Sequence, residues 1–381
     1  MTATNDDLLV FRDMVLRFLE QEVDSEFEAW ERSGLVPKAL WKKLGDAGML
    51  CVDFSEEYGA ADTSFDVALM IIEELACKGY SGLSSGYNIH ANIVAPYIQS
   101  IGSKQQCDRW LPAMVSGDVV GAIAMTEPGA GSDLAALATS AIRDGDDYIL
   151  NGSKVFITNG IHADLVIVAA KTDPKAGAKG VSLFLVDTSL PGFSRGKQIE
   201  KLGQHDSDTA ELFFNDLRVP MNALLGEEGK GFTYLMEELP RERLGIAACA
   251  IGAARGALAI TLDYVQQRSA FGQKVGAFQN SRFKLAEVKA ELEINTAYVE
   301  KCTAAYKRGE MTVEQAAIVK LSATEMQWKT VNECLRLFGG YGYTKEYPIS
   351  RFFVDARVQT IYGGTSEIMK EVIARSMLGR G

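Results

Sequence analysis

The chain has 381 residues, of which 47% are hydrophobic and 23% are charged, and its formal net charge is −11. These values are typical of a soluble globular protein with two or three domains. The acidic balance argues against nucleic acid or an anionic membrane as a partner, and no apolar run of about eighteen residues predicts a membrane span. The first residues lack the features of a signal or transit peptide, so we expect a cytoplasmic protein, or a processed chain of the mitochondrial matrix.

The residue types that bind metals or form catalytic triads are few and dispersed. The six cysteines are scattered without a C-x-x-C pair, and the three histidines, His90, His162 and His205, are far apart. Buried free thiols and structural or surface histidines are therefore predicted, and no metal ion is expected.

Hydrophobic periodicity divides the chain into three parts. Residues 1–120 show helical spacing, as in DVALMIIEELACKG. In residues 121–230 the hydrophobic period changes to that of strands. DYILNGSKVFIT alternates around Asn151-Gly152 and predicts a hairpin there, and further strands are predicted for ADLVIVAAKT, GVSLFLVDT and TAELFFNDLRVP. Residues 231–381 return to long helical patterns, at 242–267, 280–307, 312–338 and 366–378. The prediction is an α+β fold with an N-terminal α-helical domain, a middle β-barrel-like or β-sandwich domain and a C-terminal four-helix bundle.

The stretch AMTEPGAGSDL, residues 124–134, makes a tight turn after a predicted strand. It has neither the Lys-Ser/Thr ending of a P-loop nor a complete G-x-G-x-x-G pattern. An ordinary glycine turn explains it as well as an exposed backbone that, with Thr126 and Ser132, faces a polar ligand.

Three later stretches combine glycine with aromatic residues. VQQRSAFGQKVGAFQ, residues 265–279, ends a helix near Arg268, which either caps that helix or binds a pyrophosphate. RLFGGYGYTKEYPISR and QTIYGGTSEIMKE each contain a Gly-Gly pair. In the second, Thr365 or Ser366 is predicted to cap a helix whose N-terminus suits an anionic or electron-rich group.

Five stretches together resemble the acyl-CoA dehydrogenase family: AMTEPGAGSD, NGSKVFITNG, QRSAFGQKVGAFQ, LFGGYGYTKEYPI and IYGGTSEIMKEVIAR. They occur in the family's order and spacing over nearly the whole chain, and the middle and C-terminal parts most resemble its long-chain members. The resemblance implies FAD as cofactor and oxidation of an acyl-CoA to a trans-2-enoyl-CoA, with hydride passing from Cβ to flavin N5. It also implies medium- or long-chain fatty acid β-oxidation, electron-transfer flavoprotein as the acceptor, and a homotetramer.

The resemblance also implies which residues form the site. Those implied to approach the flavin within one subunit are Met125, Thr126, Ser132, Phe156, Thr158, Thr365 and Glu367. Those implied to reach the FAD of a neighbouring subunit are Arg268, Phe271, Gln279, Arg336 and Gly340. Those implied to bind the substrate are Ser132, Arg243 and Gly364.

Two residues depart from the pattern of many relatives. Gly363 stands where they carry the catalytic glutamate of I-Y-E-G-T, and Arg336 stands where they carry glutamine. Long-chain and isovaleryl relatives instead place the base at the position of Glu242, within ELPRERL. The resemblance then implies that Gly363 still acts through its N–H, which donates to the thioester carbonyl.

The residues around Glu242 suit a base. Projected as a helix after Pro240, Glu242 shares one face with Gly245, Ile246 and further small or apolar residues. Burial there would raise its pKa, whereas Arg243 or the helix N-terminus would lower it, and the sequence leaves open which effect prevails. The alternative interpretation is a buried structural ion pair with Arg243 or another basic side chain.

Other functions stay open at this point. They are an acyl-CoA oxidase, a side-branch flavoenzyme that takes another acid, and a non-catalytic acyl-CoA-binding paralogue. Peroxide formation by reduced enzyme in air distinguishes the oxidase, and failure to take up FAD distinguishes the paralogue.

Overall fold

The N-terminal part is helical, as predicted. The computed structural model describes residues 5–379, with side chains from residue 8 onward. The helices are α1 (Asn5–Glu22), α2 (Phe27–Ser33), α3 (Ala39–Asp46), α4 (Phe65–Cys77), α5 (Ser81–Tyr87), α6 (Ala95–Ile101) and α7 (Lys104–Val115). A π-helical segment, Asn88–Val94, joins α5 to α6. Such segments are uncommon and occur frequently at functional sites.

The middle part is one eight-stranded sheet. Its strands are β1 (Gly121–Ala124), β2 (Ser140–Asp144), β3 (Asp147–Thr158), β4 (Leu165–Lys171), β5 (Val181–Asp187), β6 (Phe193–Gln198), β7 (Thr209–Pro220) and β8 (Leu224–Leu225). They pair in the order β6-β7-β3-β2-β4-β5-β8, and β1 pairs in parallel with β4. The three single-strand predictions correspond to β4, β5 and β7, so the middle β domain is confirmed.

The predicted hairpin at Asn151-Gly152 is wrong. β3 runs through both residues, and the chain reverses earlier, between β2 and β3, at Gly145. Asn-Gly instead marks a β-bulge, because the register of β3 against β7 shifts just before Gly152. Gly152 has a φ of 151°, and a Cβ there would lie 2.5 Å from Thr139 Oγ1. The glycine therefore serves a bulge and a close contact rather than a turn.

The C-terminal part is a helical domain, as predicted. Its helices are α8 (Gly231–Gln267), α9 (Gln279–Lys307), α10 (Val313–Leu337), α11 (Ile349–Gln359) and α12 (Ser366–Leu378). A small hairpin of β9 (Ser269–Ala270) and β10 (Gln273–Lys274) lies between α8 and α9.

The predicted start of a helix at Glu242 is wrong, because α8 begins at Gly231 and runs through Pro240. Proline removes a backbone donor and usually kinks or ends a helix. Here the next turn is held in place by packing, since Arg241 is buried and forms an ion pair with Asp53 at 2.9 Å. Glu242 therefore lies inside a long helix, and the positive end of the helix dipole has little effect on it.

The glycine-rich face of α8 packs directly against the N-terminal helices. A Cβ on Gly252 would lie 2.2 Å from the carbonyl oxygen of Glu73 in α4, and one on Gly245 would lie 2.1 Å from Asn88 Oδ1 in the π-helical segment. α8 also contains an 18-residue window apolar enough to cross a membrane, but 83% of that window is buried inside the fold. It is therefore the central core helix of the molecule.

β4 joins the sheet to the helices. Val166 and Val168 belong to the core within the sheet, whereas Leu165 and Ile167 belong to a second core shared by N-terminal and C-terminal helices. Alternate residues of a strand point to opposite faces, so one strand contributes to both cores. The loop that follows β1, the neighbour of β4, is thereby held next to the helical core.

Candidate active site

Glu242 is buried where α8 meets α6. The residue is 4% exposed, and its Oε1 accepts a hydrogen bond from the Tyr97 hydroxyl at 3.0 Å. Burial raises the pKa of Glu242 to about 7; the Tyr97 bond opposes this rise, the charge of Glu238 adds to it, and Arg243 opposes it. Of the effects that the sequence left open, desolvation prevails. A carboxyl group with a pKa near neutrality is well suited to exchange a proton at physiological pH.

The structural alternative, an ion pair of Glu242 with Arg243 or another basic side chain, is not formed within residues 5–379, where the partner of Glu242 is Tyr97. Arg243 is 4% exposed, and among residues 5–379 its Nε and one terminal nitrogen are buried without a hydrogen-bond partner. Buried polar groups are almost always hydrogen-bonded. The guanidinium is therefore available to a ligand, and its role in substrate binding stays a prediction.

The Gly363-Gly364 turn lies against the same face of α8. Both residues have a left-handed backbone conformation, with φ values of 62° and 97°, and this conformation favours glycine at each position. A Cβ on Gly363 would lie 2.3 Å from Cδ1 of Ile246, one turn after Glu242. The Gly364 carbonyl accepts a hydrogen bond from Lys320 Nζ at 2.7 Å. Burial lowers the pKa of Lys320 to about 8.

The helix after this turn begins as predicted. Thr365 is the N-cap of α12, and its side chain accepts a hydrogen bond from the Ile368 N–H at 3.3 Å. Ser366 donates to Glu325 of α10 at 2.6 Å, which ties the start of α12 to the bundle. Glu367 is exposed in the first turn. The two predicted contacts, Thr365 and Glu367, therefore lie at a helix N-terminus that is rigidly held.

A buried ion pair holds the loop after β1. Lys154 Nζ lies 2.8 Å from Glu127 Oε1 and donates to the Met125 carbonyl at 2.9 Å. The Thr126 carbonyl accepts a hydrogen bond from the Val155 N–H at 2.9 Å. The predicted flavin contacts Met125 and Thr126 are thus fixed against β3 by bonds that the sequence did not reveal.

The rim of the sheet has features that fit a flat ligand. Phe156 has a φ of 60° and is 65% exposed, an unusual combination for an aromatic residue. Ser132 is exposed and Thr158 is half-buried. A Cβ on Gly129 or Gly131 would meet no atom of the described chain within 4 Å. The backbone of this loop is therefore open, which both interpretations of AMTEPGAGSDL allow, and its contact with a ligand stays a prediction.

A second group of predicted residues lines an open cleft of about 440 Å³ in the C-terminal domain. Arg268, Arg336 and Gly340 line it together with Tyr264 and Tyr341, and the Arg268 guanidinium lies 5.5 Å from the Tyr341 ring centroid. Two guanidinium groups beside bare glycine backbone suit a diphosphate. Arg336 lines the same cleft as Arg268, and its Nη1 lies 3.6 Å from Glu333 Oε1.

Phe271 and Gln279 are not among the residues that line this cleft. Phe271 has a φ of 49° and is 97% exposed in the turn between β9 and β10. Gln279 is the exposed first residue of α9. Both lie in the chain segment that follows the cleft residue Arg268, on a surface open to another molecule.

Three residues that shape the site were missed by sequence reasoning: Tyr97, Lys154 and Lys320. Tyr97 stands in an ordinary helical pattern and gave no signal. Each lysine stands among apolar neighbours, in SKVF and IVKL, and is fully buried. Since lysine is almost never fully buried unless paired, that placement was the available signal.

Comparison with known proteins identifies the family. Models of the N-terminal, middle and C-terminal domains of acyl-CoA dehydrogenase match residues 5–118, 122–217 and 229–378. The long-chain specific mitochondrial acyl-CoA dehydrogenase of Rattus norvegicus is 47% identical over 371 residues, which are 97% of this chain and 86% of that protein. The crystal structure of an acyl-CoA dehydrogenase from Geobacillus kaustophilus has a TM-score of 0.96 at 46% identity and covers 98% of this chain and 99% of its own.

A third relative bears on the cofactor. A glutaryl-CoA dehydrogenase of Mycobacterium smegmatis, solved in complex with FADH2, has a TM-score of 0.93 at 32% identity and covers 99% of this chain and 96% of its own. The bound FADH2 of that protein agrees with the FAD predicted here. With three domain models matched in order and a relative 47% identical over nearly the whole length, the chain belongs to the acyl-CoA dehydrogenase family and is an oxidoreductase of that class.

Proposed function

We propose that this protein oxidises the Cα–Cβ bond of an acyl-CoA thioester to a trans-2-enoyl-CoA, with Glu242 as the base and FAD as the hydride acceptor. One observation carries the proposal. The carboxyl group of Glu242 is buried, its pKa is raised to about 7, and it lies one helical turn from Ile246, which contacts the Gly363 turn. The only other position implied for a base, Gly363, has no side chain.

Glu242 removes the α-proton of the thioester. This proton is weakly acidic, so its removal needs a positioned base stronger than an exposed carboxylate. A pKa of about 7 gives Glu242 that strength while leaving a large fraction ionised at neutral pH. General-base catalysis of this kind contributes about 10²–10⁴-fold in rate.

Gly363 contributes through its backbone. Its N–H donates to the thioester carbonyl oxygen as negative charge develops there during proton removal. Lys320 holds the neighbouring carbonyl of Gly364 and so keeps the turn in one orientation. A terminal nitrogen of Arg243 lies 3.8 Å from the Cβ position of Gly364, which places its charge at the wall of the same site.

The residues present fit FAD. An open glycine backbone, an exposed ring at Phe156 and a cleft with two arginines correspond to the needs of a flavin and a diphosphate. The flavin end is assigned to Met125, Thr126, Ser132, Phe156, Thr158, Thr365 and Glu367. The dinucleotide end of a neighbouring subunit's cofactor is assigned to Arg268, Phe271, Gln279, Arg336 and Gly340. When bound, FAD accepts the hydride that leaves Cβ.

The proposal extends to the physiological setting. The similarity to a long-chain specific enzyme supports medium- or long-chain fatty acyl-CoA as the substrate, in β-oxidation, with electron-transfer flavoprotein as the acceptor. The large exposed apolar side chains of the C-terminal domain, such as Phe271 (97%) and Ile294 (68%), are available for contacts between the subunits of the homotetramer that the family resemblance implies. The compartment is the cytoplasm of a bacterium or the matrix of a mitochondrion.

The test is anaerobic titration of the purified FAD-loaded protein with acyl-CoAs of increasing chain length, followed by bleaching of the flavin absorbance. Wild type is expected to bleach, and Glu242→Gln is expected to bleach at least about 10²-fold more slowly. The matched control is Glu73→Gln, since burial also raises the pKa of Glu73 to about 7 but its carboxylate faces Arg255 at 3.3 Å. Bleaching of Glu242→Gln at the native rate would exclude Glu242 as the base.

Two further readouts separate the competing functions. Peroxide formation when the reduced protein meets air, at a rate matching turnover, would make it an oxidase. A colourless protein that does not take up FAD would make it a non-catalytic acyl-CoA-binding relative.

A further inference from the structure

Helix α6 presents two hydroxyl groups to two glutamates of α8. Tyr97 donates to Glu242 Oε1 at 3.0 Å, and Ser100, one turn further along α6, donates to Glu238 Oε1 at 2.7 Å. Residues three or four apart lie on the same face of a helix, so the two donors and the two acceptors face each other across the contact. Each carboxylate therefore has a donor of its own.

The two pairs differ in their exposure. Tyr97 is fully buried and Glu242 is 4% exposed, whereas Ser100 is exposed and Glu238 is half-buried. Only the Tyr97–Glu242 pair lies inside the protein, where a hydrogen bond to a carboxylate is strongest. The surface pair is screened by water and contributes less.

Packing alone does not explain a tyrosine at residue 97. Phenylalanine would fill nearly the same volume, and a buried hydroxyl is unfavourable unless it is hydrogen-bonded. The partner of this hydroxyl is Oε1 of Glu242. The other oxygen, Oε2, accepts no hydrogen bond from residues 5–379, so the pair leaves one carboxylate oxygen fixed and one available.

We propose that Tyr97 is a positioning residue for the reaction: its hydroxyl fixes Oε1 of Glu242 and thereby directs Oε2 at the α-carbon of the substrate. The inference rests on the proposed function, in which Glu242 is the base. In that step the Cα–H bond breaks, its electron pair stays with the substrate, and the proton bonds to Oε2. Tyr97 keeps its own proton throughout.

The groups that face Glu242 come from two helices. They are Tyr97 of α6, and Glu238 and Arg243 of α8. The Tyr97 hydrogen bond favours the ionised carboxylate, so its loss raises the pKa of Glu242 further. Because the base must be ionised to act, the acid limb of the pH profile of kcat then moves to higher pH.

The test is Tyr97→Phe in the FAD-loaded enzyme, with an acyl-CoA that wild type oxidises. We expect kcat to fall by about 10- to 100-fold, the range for losing a hydrogen bond to a charged group. We expect little change in KM, a larger isotope effect with α-deuterated substrate, and an acid limb shifted to higher pH. The control is Tyr148→Phe, because the Tyr148 hydroxyl donates to Glu228 at 2.8 Å in the β domain. Its kinetics are expected to match wild type.

Two results would overturn the inference. One is wild-type kcat and an unshifted acid limb in Tyr97→Phe. The other is a fall in kcat without a shift of the limb, because loss of stability alone produces that pattern. Should Tyr97→Phe not fold, site-specific 3-fluorotyrosine at residue 97 replaces it. That residue keeps the shape and is a stronger donor, so the acid limb is expected to move to lower pH, and an unmoved limb contradicts the inference.

Glu242→Gln separates this inference from the proposed function. If Glu242 is the base, Glu242→Gln loses activity, and adding Tyr97→Phe causes no further loss because no carboxylate remains to be positioned. If Glu242→Gln keeps the native rate, the proposed function itself fails. If Glu242→Gln is inactive while Tyr97→Phe behaves as wild type, the inference about Tyr97 fails alone.

Discussion

Moving the proposed base from residue 242 to residue 363 should require a change at Ile246. The double substitution Glu242→Gly with Gly363→Glu places a carboxylate on the Gly363 turn. There a Cβ would lie 2.3 Å from Ile246 Cδ1 but 3.8 Å from Ile246 Cγ1. Carbon atoms that touch without repulsion lie about 3.5–4.0 Å apart. Only Cδ1 is therefore too close, and Ile246→Val removes that atom.

The expected magnitudes follow from this geometry. Overpacking at a buried site costs about 1–3 kcal/mol, and a side chain at a φ of 62° adds about 1–2 kcal/mol. Gly363→Glu is thus expected to lower the free energy of unfolding by about 2–5 kcal/mol. Ile246→Val alone costs about 0.5–1.5 kcal/mol. Combined with Gly363→Glu it should instead raise the free energy of unfolding, by about 1 kcal/mol over Gly363→Glu alone.

Urea unfolding measures the stability of these variants, and anaerobic flavin bleaching by an acyl-CoA measures their activity. The control is Ile251→Val, which shortens another buried isoleucine of α8, 2% exposed, and should rescue neither property. We expect Glu242→Gly with Gly363→Glu to bleach faster when Ile246→Val is added. The reasoning is refuted if Ile246→Val and Ile251→Val affect Gly363→Glu equally.

Three further variants test the supports of the site. The pKa of Glu242 is raised from 4.5 to about 7, so the free energy of unfolding falls by about 3 kcal/mol as the pH rises from about 4.5 to about 7. Glu242→Gln should therefore unfold at higher urea than wild type at pH 8 but not at pH 4, and equal midpoints at pH 8 would contradict the shift. Lys154→Met leaves Glu127 buried without its cation. The variant should have a free energy of unfolding about 3 kcal/mol lower than that of wild type, and it should bind FAD more weakly. That loss lies at the low end of the range for breaking a buried ion pair, because two backbone N–H groups still donate hydrogen bonds to Glu127. Adding Glu127→Gln should recover part of the lost stability. Lys320→Met removes the hydrogen bond to the Gly364 carbonyl. Reduction of the bound flavin by an acyl-CoA, measured by stopped flow, should slow about 5-fold, with the FAD content of the protein unchanged.

Features encoded by neighbouring residues were predicted from the sequence. The strand at 165–171 follows from its own apolar run, and the α12 cap from Thr365 followed by a helical pattern. Predictions made from adjacent residues were wrong where a contact with a distant part of the chain determined the local structure. Pro240 predicted a boundary, yet the packing of Arg241 on Asp53 carries α8 through it. Asn151-Gly152 predicted a turn, yet pairing with β7 makes it a bulge.

The site shows the same division. Glu242 and Gly363 were predicted from motifs, and the structure brings the Gly363 turn against Ile246 of α8, one helical turn after Glu242. Tyr97 was missed because it lies 145 residues from Glu242 in the chain, and Lys320 because it lies 44 residues from Gly364. A single tyrosine or lysine in a helical pattern carries no information about which distant atom it contacts. The residues proposed to act on the substrate could be predicted from motifs, whereas the side chains that contact them from distant parts of the chain could not.

The raised pKa of Glu242 and the glycine content of α8 are connected through the close packing of this helix. Gly245 and Gly252 allow the π-helical segment and α4 to approach within 2.1 and 2.2 Å of their Cβ positions. Any larger side chain there would separate the helices and admit water. Because water is excluded, the ionised carboxylate of Glu242 is poorly solvated, and its pKa rises. The same packing that would stabilise an apolar residue at 242 thus destabilises the protein above neutral pH and makes a glutamate basic enough for the proposed reaction.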